Sequence, residues 1–212
     1  MVDLKQISEF LINGNRDQVR ALVEKALREG VAPESLVYDA LVPGMNVVGA
    51  KFKNNEFYVP EVLIAARAMQ AGMDILEPLV AEKGIKPVAT VAIGTVEGDL
   101  HDIGKNLVAM MLKGSGFKIL DLGVDVKADQ FVQEAKGGAN VLALSALLTT
   151  TMPSMKKTIQ ALQEANLRDS VKVIIGGAPV TESYAREIGA DAYAPDAASA
   201  VDKVRELVGA PG

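Results

Sequence analysis

The feature that most limits the fold of this chain is a single change of hydrophobic period at residues 82–87. Before it, apolar residues recur at helical spacing; after it, short β-branched runs alternate with helical stretches. Leu4, Ile7, Leu11 and Ile12 share one face of a helix over 3–12. Asn15 suits the cap of a second helix, which carries Val19, Leu22, Val23 and Leu27 and stops at Gly30. Pro33 opens a third helix over 34–41, and Pro43 fits the first turn of a separate segment through Val47 and Val48. A polar turn, KNNEF, leads into a long helix over 60–81. Residues 1–81 therefore read as a small helical bundle.

The segment EKGIKP, residues 82–87, reads as a linker, and residues 88–212 as a second domain. Its apolar runs lie at 87–93, 117–122, 141–147 and 171–175, with a weaker fifth at 192–194. Helical stretches at 104–112, 128–135, 155–165, 182–188 and 198–208 separate or follow them. Strand and helix alternating five times predict an α/β domain with a parallel sheet covered on both faces. The expected architecture is a flavodoxin-like, doubly wound, five-stranded parallel sheet. Its ligand belongs at the C-terminal ends of the strands, where the strand order reverses.

Composition removes several classes of function. The chain has no cysteine, which excludes disulfides, cysteine-ligated zinc, iron–sulfur clusters and thiol nucleophiles. It has one histidine, so any imidazole chemistry runs through His101. A net charge of −5 argues against a nucleic-acid partner. No run approaches the roughly 18 apolar residues that span a bilayer, and MVDLKQISEF lacks the pattern of a secretory signal. With 49% hydrophobic and 23% charged residues, a globular cytoplasmic protein without membrane contact is expected.

The loop after the first strand, GTVEGDLHDIGKNLV from Gly94 to Val108, is long and polar for a chain leaving a buried strand. It contains neither GxGxxG nor GxxxxGK[ST], so it is not a phosphate loop of either kind. Taken alone, it reads equally well as a surface loop, with Asp102 capping the next helix and Gly98 and Gly104 giving freedom. Two further loops bear on the choice. The third strand runs into ALSALLTTTM, which puts Ser145, Thr149, Thr150 and Thr151 at or beyond its end. The fourth runs into IIGGAPV, where Gly176 and Gly177 remove side chains where a ligand would approach. Three polar or glycine-rich loops thus gather at one edge of the sheet.

Together these loops resemble the cobalamin-binding domain family, whose pattern is DxHxxG, then SxL, then GG. Here they read Asp99-Leu100-His101-Asp102-Ile103-Gly104, Ser145-Ala146-Leu147 and Gly176-Gly177. The segment VPGMNVVGAKFKNNEFYVPEVLIAARAM is similar to the helical cap that precedes such domains in methionine synthase and in corrinoid proteins of methyltransferase systems. Between them the two halves cover nearly the whole chain.

The resemblance implies a cobalamin or related corrinoid bound base-off/His-on, with His101 as the metal ligand and Asp99 on its other ring nitrogen. In methionine synthase the relay ends in a serine, and the matching position here is Thr151, which keeps the hydroxyl and adds a methyl. Thr95, Val96, Gly98, Asp102, Ile103, Gly104, Ser145, Leu147, Thr149, Gly176 and Gly177 complete the implied cofactor-binding set. Within it, Asp102 is expected to cap the helix, Gly104 to allow close packing, and Ser145 and Thr149 to hold the displaced nucleotide tail. Tyr58, Val62, Ala66 and Met69 are candidates for a cap face over the cobalt, with ordinary bundle core as the competing reading. The linker, with Gly84, is the expected hinge.

By the same resemblance, the chain is a methyl carrier and not a catalyst on its own. Cobalt(I) takes a methyl group from a substrate:corrinoid methyltransferase and passes it to a corrinoid:folate or corrinoid:thiol methyltransferase. A reductive activase would restore oxidised cobalt. Two other functions are compatible with the cobalamin motif: a cobalamin-dependent regulator or sensor, and the small subunit of an adenosylcobalamin mutase. The first normally adds a basic recognition helix, which is not seen here, and the second usually lacks a helical cap.

Overall fold

The asparagine cap and the alternating strand pattern reappear in the structure, a computed structural model that describes residues 2–84 and 87–210. The chain forms two units, Met1–Pro87 with Lys113–Gly116, and Val88–Leu112 with Phe117–Gly212. The expected hinge falls partly on residues 85 and 86, which lie outside the described residues.

In the helical unit, α1 (Leu4–Ile12) begins at Asp3, whose carboxylate accepts the Lys5 N–H at 3.0 Å. α2 (Arg16–Arg28) begins at Asn15, whose side chain accepts the Gln18 N–H. Pro43 lies in the first turn of its helix, as expected, and no break precedes that helix. α3 (Pro33–Leu36) passes through a wide π-type turn, Val37–Leu41, straight into α4 (Val42–Lys53). The Val42 N–H reaches back to the Val37 carbonyl, and Pro43, with no N–H of its own, is carried through inside the helix. α5 (Val59–Glu82) is the longest helix. A Cβ at Gly72 would lie 2.9 Å from Leu41 and 3.4 Å from Val19, so glycine lets α5 seat this closely. Ile7, Leu11, Val19, Val23, Leu36, Leu41 and Leu76 are fully buried.

The second unit alternates β1 (Thr90–Thr95), α6 (Ile103–Gly114), β2 (Lys118–Asp121), α7 (Ala128–Lys136), β3 (Val141–Ser145), α8 (Met152–Glu164), β4 (Lys172–Gly176), α9 (Glu182–Ile188), β5 (Ala192–Ala194) and α10 (Ala197–Val208). All pairings are parallel and the order is β2-β1-β3-β4-β5, the flavodoxin-like arrangement. Val141 to Leu144 are buried without alternation, as a strand covered on both faces requires. On one face Ala92, Leu142, Leu144, Val173 and Ile175 pack with Phe131 of α7 and Met155 and Ile159 of α8. The third strand ends at Ser145, two residues before the apolar run does, which frees Leu147 to join the loop.

Candidate functional site

The chain leaves β1 toward β2 and leaves β3 toward β4, in opposite directions across the sheet, so the switch point lies between β1 and β3. Register aligns the three expected loops there. Thr95 pairs with Ser145, Ser145 with Gly176, and Gly176 with Ala194, all at the C-terminal edge. Each motif leaves the sheet from the same row.

Asp99 is the anchor of the site and is fully buried. Its Oδ1 accepts the His101 main-chain N–H at 3.1 Å and lies 2.7 Å from His101 Nδ1. Its Oδ2 accepts the N–H groups of Leu147 at 2.8 Å and Leu148 at 3.2 Å, and the Thr151 hydroxyl at 2.7 Å. Burial alone would raise the pKa of this carboxyl. The Thr151 hydroxyl, the Leu147 N–H and His101 outweigh it and hold the group well below its ordinary 3.8. An ionised carboxylate only accepts, so Nδ1 must carry the imidazole proton. Nε2 then keeps its lone pair, and among the described residues none engages it. The His101 side chain is 50% exposed.

The loops that carry the imidazole and the donors to its aspartate also expose four aliphatic side chains. Leu100 is 70% exposed, Ile103 79%, Leu147 43% and Leu148 42%. The first two flank His101 in sequence, and the last two give their N–H groups to Asp99. A neutral ring nitrogen with a free lone pair, on a loop with exposed aliphatic side chains, fits a flat metal macrocycle: one ligand atom and an apolar floor. Gly104 fits it too. A Cβ there would meet nothing within 4 Å, so the expectation that this glycine serves close packing is not met.

The other expected residues fall into distinct places. Thr95 and Val96 are fully buried; the Thr95 hydroxyl donates to the His101 carbonyl at 2.9 Å, and Val96 lies in the sheet core. They hold the loop from beneath. Gly98 has φ +84° and gives its N–H to the Asp125 carboxylate at 2.7 Å. Asp102 is exposed and accepts the Asn106 side-chain amide at 3.0 Å, a side-chain contact in place of the expected main-chain cap. Ser145 is half-buried and Thr149 exposed.

Gly176 and Gly177 have a reason that precedes any ligand. A Cβ at Gly177 would lie 1.8 Å from the Ala146 carbonyl oxygen, and one at Gly176 3.0 Å from that of Ala194. Main chains of neighbouring strands already fill that space. In the helical unit, Val62, Ala66 and Met69 are buried, whereas Tyr58 is 62% exposed. The four do not form one exposed face, and the first three match the competing reading of bundle core.

Sequence reading missed the residues that hold the loop from its flanks. Lys105 is buried with its Nζ 2.6 and 2.7 Å from the two oxygens of Asp121 at the end of β2. Ser154 of α8 donates to the Glu97 carbonyl at 3.1 Å, and Lys157 pairs with the Glu97 carboxylate at 2.6 Å. The one available signal was a polar residue, Lys105, on a buried helix face.

Comparison with known proteins identifies the family. Residues 89–204 match the B12 binding domain family, and residues 3–77 match a second B12 binding domain family. A corrinoid protein of Desulfitobacterium hafniense (strain Y51) is 43% identical over 210 residues, covering 97% of both chains. Dimethylamine corrinoid protein 1 of Methanosarcina mazei is 42% identical over 207 residues, covering 97% of this chain and 95% of its own. The crystal structure of the methanol:cobalamin methyltransferase complex from Methanosarcina barkeri contains a chain 29% identical. It superposes with a TM-score of 0.86 over 97% of this chain and 79% of its own.

Proposed function

The chain belongs to the B12-binding corrinoid proteins, and from that premise we propose that it is a methyl carrier serving separate donor and acceptor methyltransferases. The observation that carries this reading is the Thr151–Asp99–His101 chain, which leaves Nε2 of the only histidine free on a loop with exposed aliphatic side chains. The corrinoid supplies a cobalt centre that takes up a methyl group from one partner and gives it up to another.

In this reading the binding is base-off/His-on. His101 offers Nε2 to the metal, while Asp99 keeps the proton on Nδ1 and raises the basicity of the ring. Thr151 and the Leu147 and Leu148 N–H groups keep Asp99 charged throughout. Leu100, Ile103, Leu147 and Leu148 would provide an apolar floor for the group, and Gly104 would leave room beside it. Ser145 and Thr149 would hydrogen-bond the displaced tail, with Gly176 and Gly177 admitting it.

The relatives are named for different methyl donors, dimethylamine in one case and methanol in another. The same frame thus accompanies different donors, and the choice rests with the donor methyltransferase. The acceptor enzyme acts on a folate or a thiol, and a reductive activase restores the carrier after oxidation. Among the described residues no helix is long and apolar enough to cross a membrane, and a cytoplasmic setting fits this chemistry.

The test is reconstitution with hydroxocobalamin. The wild-type protein should give the visible spectrum of imidazole-ligated cobalt, and His101→Ala should give that of the water-ligated form. A wild-type protein that bound no corrinoid, or a His101→Ala spectrum equal to the wild type, would overturn the reading.

A further inference from the structure

We propose that Asp125 is a positioning residue for the Asp99–His101 pair, setting the orientation of the carboxylate by holding the Gly98–Asp99 backbone on both sides. This deepens the proposed role of His101 as metal ligand and rests on it.

Asp125 lies in the connection between β2 and α7, outside every motif that points to the cofactor. Among the described residues it is one of three non-glycine residues in the left-handed region, with φ +53°. Aspartate tolerates that conformation better than most residues, but it is still an uncommon choice and needs contacts to hold it. Two such contacts are present and they are reciprocal. The Asp125 carboxylate accepts the Gly98 N–H at 2.7 Å, and the Asp125 N–H donates to the Asp99 carbonyl at 3.0 Å.

These two bonds bracket the dipeptide from which the Asp99 side chain emerges. Asp125 itself stands on a fixed base. Thr95 donates to the Gly123 carbonyl at 3.0 Å, Val126 donates back to Thr95 at 2.9 Å, and Val96 and Val126 form a parallel bridge. At the start of the same segment Asp121 is tied to buried Lys105 in the first turn of α6. The connection between β2 and α7 thus acts as a template for the histidine loop. Function requires such support, because ligand groups must be held to within roughly 0.5 Å and 10–20° of their working geometry. A turn of the Gly98–Asp99 unit would swing Oδ1 away from Nδ1 and release the tautomer that frees Nε2.

Two substitutions separate the contact from the backbone. Asp125→Asn keeps a side-chain oxygen at the same reach and accepts a positive φ. Asp125→Gly accepts the positive φ and removes the oxygen; Asp125→Ala is a second loss-of-contact variant should the glycine protein be poorly folded. The first readout is the nitrogen-15 spectrum of the single imidazole in corrinoid-free protein at pH 8. Wild type and Asp125→Asn should show the Nδ1–H tautomer, and Asp125→Gly a mixture of both tautomers. The second is hydroxocobalamin binding, which should weaken about tenfold in Asp125→Gly, at the low end for loss of a residue behind a metal ligand, and recover in Asp125→Asn. An Asp125→Gly protein with wild-type tautomer and wild-type visible spectrum, even at a lower melting temperature, would overturn the proposal. Failure of the proposed His-on binding would appear instead in the wild-type visible spectrum, while the tautomer comparison would still read the action of Asp125.

Discussion

Asp99 and His101 are joined twice through one oxygen: Oδ1 of Asp99 takes the His101 main-chain N–H at 3.1 Å and faces its ring Nδ1 at 2.7 Å. The main-chain bond fixes where the ring starts and the side-chain bond fixes which nitrogen is free. Five donors converge on a carboxylate with no exposure to water, so its charge is held by geometry and not by solvent.

Removing one of those donors should be costly. Thr151→Val keeps the shape but takes away the hydroxyl that reaches Asp99 at 2.7 Å. Hydrogen bonds to charged groups contribute about 1.5–3 kcal/mol, and a loss of that size is expected in urea unfolding. Thr151→Ser restores the donor and should recover most of the stability. The hydroxyl also lies 2.9 Å from the Leu148 carbonyl, but its single proton goes to the stronger, charged acceptor.

The buried charge makes stability depend on pH in a defined direction. Asp99 is held below its ordinary 3.8 in the folded protein, so the unfolded chain binds its proton first as pH falls. The stabilisation is therefore fully present above about pH 5 and is lost as pH drops through 3.8 toward the folded value. Denaturant midpoints measured from pH 6 to pH 3 should fall steeply in the wild type. Asp99→Asn should start less stable and show a shallower slope over that window.

Two glycines in the same site should answer differently to alanine. Gly177→Ala places a Cβ 1.8 Å from the Ala146 oxygen at φ +133°, and a loss of about 3 kcal/mol or more is expected. Gly104→Ala meets nothing, lies in α6, and should leave the corrinoid-free protein as stable or more stable by up to about 1 kcal/mol. If the space above Gly104 receives the ring, the same change should weaken hydroxocobalamin binding. Melting curves and a binding titration on the two variants check both expectations.

Lys105→Met should loosen the loop from its far end. The lysine side chain is 2% exposed but its partner Asp121 is 46% exposed, so the stranded carboxylate can hydrate. The expected cost lies below the roughly 3–5 kcal/mol of breaking a fully buried pair. The urea midpoint measures it.

Much of this was legible in the residues. The cap at Asn15, the five strand runs and the three loop motifs each rest on local chemistry, and local chemistry is what a sequence displays. Pro43 marked the first turn of α4 but not its continuity with α3. A wide turn five residues long joins the two helices, and no local pattern announces such a turn. Gly104 and Gly177 look alike in sequence; what separates them is whether a neighbouring strand occupies the space a side chain would fill.

By itself the sequence determined that one histidine carries any imidazole chemistry, that an aspartate stands two residues before it, and that both follow the end of a buried strand. Tertiary structure decided what holds that aspartate ionised at neutral pH and aims it. Its donors at Leu147, Leu148 and Thr151 lie about fifty residues away, and the Asp125 clip comes from a third connection. Parallel pairing brings β1 and β3 side by side only after the intervening strand has been placed on the far edge, and hydrogen bonds act over a few ångströms of space whatever the distance along the chain.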